Sequence, residues 1–106
     1  MNKPDIVYRQ IFVSGKVQGV FFRETTRQVA AELQLSGGVR NLSDGRVEVQ
    51  VAGAARAVES LIKWLQTGPK LAKVSTIEVI EREALERPDD FMSPRQNRYF
   101  EVWPTR

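Results

Sequence analysis

The sequence predicts an α+β sandwich, an antiparallel sheet covered on one face by two helices. Three observations predict it. Val47, Val49 and Val51 alternate with Arg46, Glu48 and Gln50, the period of a strand with one buried face. Two stretches, 22–33 and 54–67, repeat apolar residues at helical spacing. Between two strand-like runs stands Ser43-Asp44-Gly45, a hairpin signal whose two central residues both take positive φ.

Along the chain, residues 7–13 form the first strand, with Val7, Ile11 and Val13 on one face. A glycine-bearing loop follows and runs into the first helix. That helix, 22–33, buries Phe22, the methyl of Thr26, Val29, Ala30 and Leu33. Gly37-Gly38 interrupts little, because Val39 and Leu42 carry a second strand into the hairpin. Residues 46–53 are the third strand. The second helix, 54–67, buries Val58, Leu61, Ile62 and Leu65 and is ended by Gly68-Pro69. Val74, Ile77 and Val79 mark a fourth strand. Residues 83–98 are charged and broken by Pro88 and Pro94, so they read as a loop. A short last strand, 99–103, is closed by Pro104. With right-handed crossovers, this order puts both helices on one face of the sheet: a ferredoxin-like βαββαβ sandwich of four main strands plus a short C-terminal strand. That topology hosts catalysts, RNA binders and regulatory modules alike, so function has to come from a site.

Composition narrows the chemistry. With 106 residues, 42% of them hydrophobic and 27% charged, the chain is read as a single globular domain, 1–106. It has no cysteine, which excludes disulfides, thiolate nucleophiles and thiolate-bound metals. It has no histidine, which removes the commonest general base and metal ligand. Asp44 and Glu48 lack partners for a metal site, so neither metal nor cofactor is expected. The net charge of +3 is spread among acids, which argues for a solvated surface rather than a nucleic-acid stripe and favours small anions. The N-terminus is short and polar, with no apolar signal core, and no run is long enough to span a bilayer. A cytoplasmic protein is therefore expected, and nothing suggests an obligate dimer.

One stretch can bind an oxyanion. Gly15, Lys16, Val17, Gln18, Gly19 and Val20 form a loop whose glycines let several N–H groups point into one concavity. The helix start adds unpaired donors and partial positive charge. Arg23 brings a planar fork matched to two phosphate oxygens. Lys16 beside it is a source of attraction for anions or simply a solvated side chain. The spacing is not that of a P-loop, since Val17 stands where a magnesium-holding hydroxyl would be needed. Asn41 ends the second strand on the face of Val39, assigned to the helix-covered side. The first two strands are parallel, so its amide can reach the mouth of the cradle.

An anion cradle of this kind, with no evident general acid, must release its leaving group unprotonated. Phosphoryl transfer runs largely on positioning and charge stabilisation. A carboxylate, whose conjugate acid has a pKa of about 4, departs readily and an alcohol does not. The residues present therefore favour a carboxylic–phosphoric anhydride over a phosphate monoester, with Asn41 orienting the attacking water.

Val13-Ser14-Gly15-Lys16-Val17-Gln18-Gly19-Val20-Phe21-Phe22-Arg23 resembles the acylphosphatase signature, a Val-x-Gly-x-Val-Gln-Gly-Val run ending in Phe-Arg. The segment from Gly37 through Asn41 to Val47 is similar to the family's second block, Gly-aromatic-Val-x-Asn, a turn and a Val-rich strand. Gly68-Pro69, Ala72 and Val74 match its Gly-Pro, Ala-x-Val pattern, so the resemblance covers roughly 7–80. It implies metal-free hydrolysis of a small-molecule acyl phosphate to a carboxylate and inorganic phosphate. It assigns phosphate binding to Arg23 and the loop N–H groups, and the orienting of water to Asn41.

Two departures stand out. Gly38 replaces the usual aromatic, and Phe12, Tyr8 and Trp103 are the rings available to cover it. The approach to the last strand, 83–98, is longer than usual. The competing reading is a non-catalytic module of the same topology, RNA-binding or regulatory. Ile11-Phe12-Val13 resembles the first strand of an RNA-recognition motif, but the third strand shows Arg46, Glu48 and Gln50 where stacking aromatics are needed. A related domain within hydrogenase maturation factors belongs to long chains, and the end of this one at Arg106 favours a free-standing enzyme.

Overall fold

A computed structural model describes residues 5–83 and 100–106. Its elements are β1 (Ile6–Lys16), α1 (Phe22–Glu32), β2 (Ser36–Asn41), β3 (Val47–Ala54), α2 (Ala55–Leu65), β4 (Lys73–Arg82) and β5 (Phe100–Val102). The sheet order is β4-β1-β3-β2-β5. β3 pairs antiparallel with both β1 and β2, and β1 pairs antiparallel with β4. β1 and β2 therefore run parallel with β3 between them, and α1 and α2 cross over on one face. β5 lies parallel to β2, with Gly37 opposite Phe100. The expected loop over 83–98 and Tyr99 of the expected last strand lie outside the described residues, apart from Glu83.

The strand period decides what is buried. Val47, Val49, Val51, Ile11, Val13 and Val39 are fully buried beneath Phe22, Ala30, Val58, Leu61 and Leu65 of the helices. Burying side chains of this size stabilises by about 1.5–3 kcal/mol each before entropy. α1 ends in a Schellman arrangement: Gln34 turns to φ 60 and the N–H of Leu35 reaches Ala30 O at 3.0 Å.

Two local expectations change. β1 does not stop before Gly15 but continues through Lys16, across a bulge between Ser14 and Gly15. Gly15 has φ +125, and a Cβ there would collide with Lys73 O of the neighbouring strand. Its glycine serves the close approach of β4 rather than an open loop. In the hairpin only Gly45, φ 98, has positive φ. Leu42 N–H bonds to Arg46 O at 2.8 Å and Gly45 N–H to Leu42 O at 3.0 Å, a three-residue loop instead of a two-residue one.

The face away from the helices is not simply solvated. Glu48 is 3% exposed and Gln50 8%. Glu48 accepts from Arg40 Nε at 2.7 Å, Gln10 Nε2 at 2.6 Å and Gln50 Nε2 at 3.0 Å, while Tyr8 OH donates to Gln50 Oε1 at 2.8 Å. Trp103 lies where a Cβ on Gly38 would be, so it is the ring that covers the bare glycine. Arg40 stacks on it at 5.4 Å and Arg46 on Phe12 at 4.5 Å. Phe12 and Trp103 are thus occupied by arginines from the same sheet, and the third strand offers an ion-paired network in place of a stacking platform.

Burial pushes the Glu48 carboxyl up, but the bonds from Gln10, Arg40 and Gln50 and the Arg40 charge outweigh it and hold the pKa below the usual range. A group lowered in this way stabilises the fold above its unfolded pKa, and the contribution fades as pH falls through the folded one. Glu48→Gln should therefore cost about 2 kcal/mol at pH 7, since it leaves Arg40 without its counter-charge. It should also flatten the loss of stability below about pH 4 relative to the parent. Urea denaturation between pH 2.5 and 7 checks both. Equal midpoints for the two proteins at pH 7 would show that the network does not hold the sheet.

Candidate active site

The connection from β1 to α1 is pinned at several points. Val17 is fully buried and Val20 is 5% exposed, so both side chains anchor the loop in the core. Gln18 turns its amide away from the loop and donates to Leu42 O at 2.9 Å and Arg46 O at 3.0 Å, clamping the loop to the base of the β2–β3 hairpin. Between these anchors the backbone turns left-handed at Gly19, φ +75, and again at Phe21, φ 62. At Gly19 a Cβ would meet nothing within 4 Å, so the missing side chain leaves the mouth of the site open.

This curl leaves donors without acceptors. α1 starts with no side-chain cap, and its first hydrogen bond runs from Thr25 N–H to Phe21 O at 3.1 Å. Among the described residues, no backbone N–H from Val17 through Glu24 has a hydrogen-bond acceptor. Unpaired N–H groups on a left-handed turn running into a helix N-terminus form a seat for an anion.

A cavity of about 450 Å³ lies over these donors. Val17 and Gly19 from the loop, Arg23 from the first turn of α1 and Asn41 from the end of β2 all line it. The two candidate catalytic residues thus share one cavity, as the parallel run of β1 and β2 requires. The other candidates are placed differently. Gly15 and Lys16 end β1 opposite Val74 and Lys73, and the Lys16 side chain is exposed. Gln18 acts as the clamp, and Val20 borders a neighbouring cavity.

Glu24, Phe21, Phe22 and Val102 complete the wall and were not singled out from sequence. Phe22 stands inside the signature run, so its position was readable. Val102 was not, because nothing local reveals that β5 pairs with β2.

The charges are arranged for an anion. Glu24 would repel one, but Arg27 Nη2 and Nε hold its carboxylate at 2.6 and 3.0 Å, and Gln28 adds a third bond. The Arg27 hydrogen bonds keep the Glu24 pKa below its ordinary value. Arg23 has no hydrogen-bond or ion-pair partner among the described residues, so its guanidinium is uncommitted. Asn41 Oδ1 is buried with no hydrogen-bond partner in the described structure. A buried acceptor left unpaired costs about 1–3 kcal/mol, and the residue that carries this one lines the same cavity as Arg23. Among the described residues no group of three or more carboxylates gathers to hold a metal.

Comparison with known proteins shows what the chain is similar to. The Acylphosphatase family model matches residues 9–93. An acylphosphatase of Rubrobacter xylanophilus is 52% identical over 75 residues, covering 71% of this chain and 68% of that one. The structure of an acylphosphatase from Coxiella burnetii superposes with a TM-score of 0.79 at 38% identity, covering 97% of this chain and 100% of that one. Full-length HypF contains a similar portion, with a TM-score of 0.77 at 29% identity over 98% of this chain and 13% of that one.

Proposed function

This chain belongs to the acylphosphatase family, and we propose that it hydrolyses acyl phosphates by positioning and charge alone. The substrate phosphate sits on the loop and helix N–H groups from Val17 to Glu24, with the Arg23 fork on two of its oxygens. The Asn41 amide holds a water and turns its lone pair toward phosphorus. The water oxygen bonds to phosphorus as the bond from phosphorus to the acyl oxygen breaks. That electron pair leaves on the carboxylate, and the water proton passes to a phosphate oxygen or to solvent. The N–H groups and Arg23 stabilise the charge on the equatorial oxygens throughout.

The observation that carries this reading is the single cavity lined by Arg23, by Asn41 and by the loop whose N–H groups have no acceptor among the described residues. The reading is completed by a single domain over 1–106, acting as a monomer in the cytoplasm on a diffusible substrate, with no metal. Among the described residues no helix is long and apolar enough to cross a membrane.

The test is hydrolysis of benzoyl phosphate in EDTA, with phenyl phosphate as control. The departing benzoate has a conjugate-acid pKa of about 4 and phenolate one of about 10. Turnover of the first should survive chelation, and turnover of the second should be slight. Strict dependence on added metal, or equal rates on both, would overturn the mechanism.

A further inference from the structure

Next to the anion cavity lies a second one of about 500 Å³, bordered by Val20, Phe21, Thr25, Pro69, Lys70 and Leu71. Phe21 forms the wall common to both. Its backbone is left-handed, which a bulky side chain rarely adopts. Its ring is 75% exposed, and Leu71 across the second cavity is 62% exposed. These are the two most exposed large apolar side chains among the described residues. Singly scattered apolar residues need no explanation, but two on one hollow beside an anion seat do.

We propose that this hollow is the subsite for the acyl group, and that the preferred substrates carry a ring or branched hydrocarbon there. The proposal rests on the acylphosphatase reading and adds the substrate class to it. Sheet order supplies the direction. Asn41 is on β2, whereas Leu71 precedes β4, and β1 and β3 lie between those strands. A water held by Asn41 attacks from the β2 side. In an in-line displacement the leaving carboxylate departs on the opposite side of phosphorus, toward β4. Phe21 and Leu71 stand there, and a phosphate with an apolar acyl group spans the two cavities across Phe21.

The test compares kcat/KM for acetyl, benzoyl and 4-carboxybenzoyl phosphates in the full-length protein and in Phe21→Asn and Leu71→Ser. Asparagine tolerates the left-handed backbone, so the first variant removes the ring and keeps the turn. The parent protein should favour benzoyl over acetyl phosphate by about tenfold, the scale of a few apolar contacts. Phe21→Asn should erase that ratio and Leu71→Ser should reduce it about threefold, mainly through KM. Inhibition by inorganic phosphate should change by less than about threefold in Leu71→Ser, which stands outside the anion cavity.

An unchanged ratio in both variants would overturn the subsite. So would a parallel weakening of phosphate inhibition, which would make Phe21 a prop for the loop. A preference for 4-carboxybenzoyl phosphate that Lys70→Ala abolishes would replace the apolar class by an acidic one. If the parent protein hydrolyses none of the three, the catalytic reading falls and the subsite with it.

Discussion

Arg23→Ala is expected to lower kcat/KM for benzoyl phosphate by about 10³-fold or more, the range seen when an arginine bearing on a transferring phosphoryl group is lost. Two structural facts make the effect large. The guanidinium has no partner of its own among the described residues, so none of its donors is spent on them. The carboxylate beside it, Glu24, is already held by Arg27 and Gln28, so Arg23 is left as the uncompensated cation of the cavity. Inhibition by inorganic phosphate should weaken in step with turnover, because the same fork serves ground state and transition state. Arg23→Lys keeps the charge but not two parallel donors, and should recover only a small part of the loss. Steady-state kinetics with phosphate as competitive inhibitor decides it. A variant that bound phosphate as well as the parent would remove Arg23 from the anion seat.

Asn41→Ala should act differently. In the proposed mechanism the Asn41 amide holds the water rather than the phosphate, so kcat should fall by about 10²-fold or more while phosphate inhibition stays within about threefold. Folding should not suffer, since removing an unpartnered buried oxygen deletes an unsatisfied acceptor and no bond. The backbone role of Asn41 does not depend on its side chain: its carbonyl accepts from Arg106 N–H at 3.0 Å, and it pairs with Val47 across the hairpin. Thermal melts beside the kinetics separate the two contributions. Full turnover with normal phosphate binding would mean that another group orients the water.

Much of this architecture was legible because periodicity is a direct record of burial. Val47, Val49 and Val51 announced β3 and its inner face, and the spacing of Phe22, Thr26 and Ala30 announced the buried stripe of α1. The candidate site was legible as a grouping at Gly19, Arg23 and Asn41, which residue type, order and spacing set together and which line one cavity. Legibility failed where a residue's role is set by a neighbour distant in sequence. Gly15 reads locally as a loop glycine, yet its constraint is the carbonyl of Lys73. Gln18 gives no local sign that its side-chain amide is turned to the hairpin carbonyls. Glu48 reads as a surface acid on the outer face, yet Arg40, Gln10 and Gln50 converge on it. Each of these depends on strand register, which alternation within a single strand does not specify.

The amide of Gln18 ties the β1–α1 turn to both carbonyls at the root of the β2–β3 hairpin. On the proposed mechanism, the piece that would grip the phosphoryl group and the piece that would aim the nucleophile are thereby riveted together before any ligand arrives. Such a catalyst requires no lid to swing shut, and its reacting geometry is assembled once, during folding, rather than at every encounter.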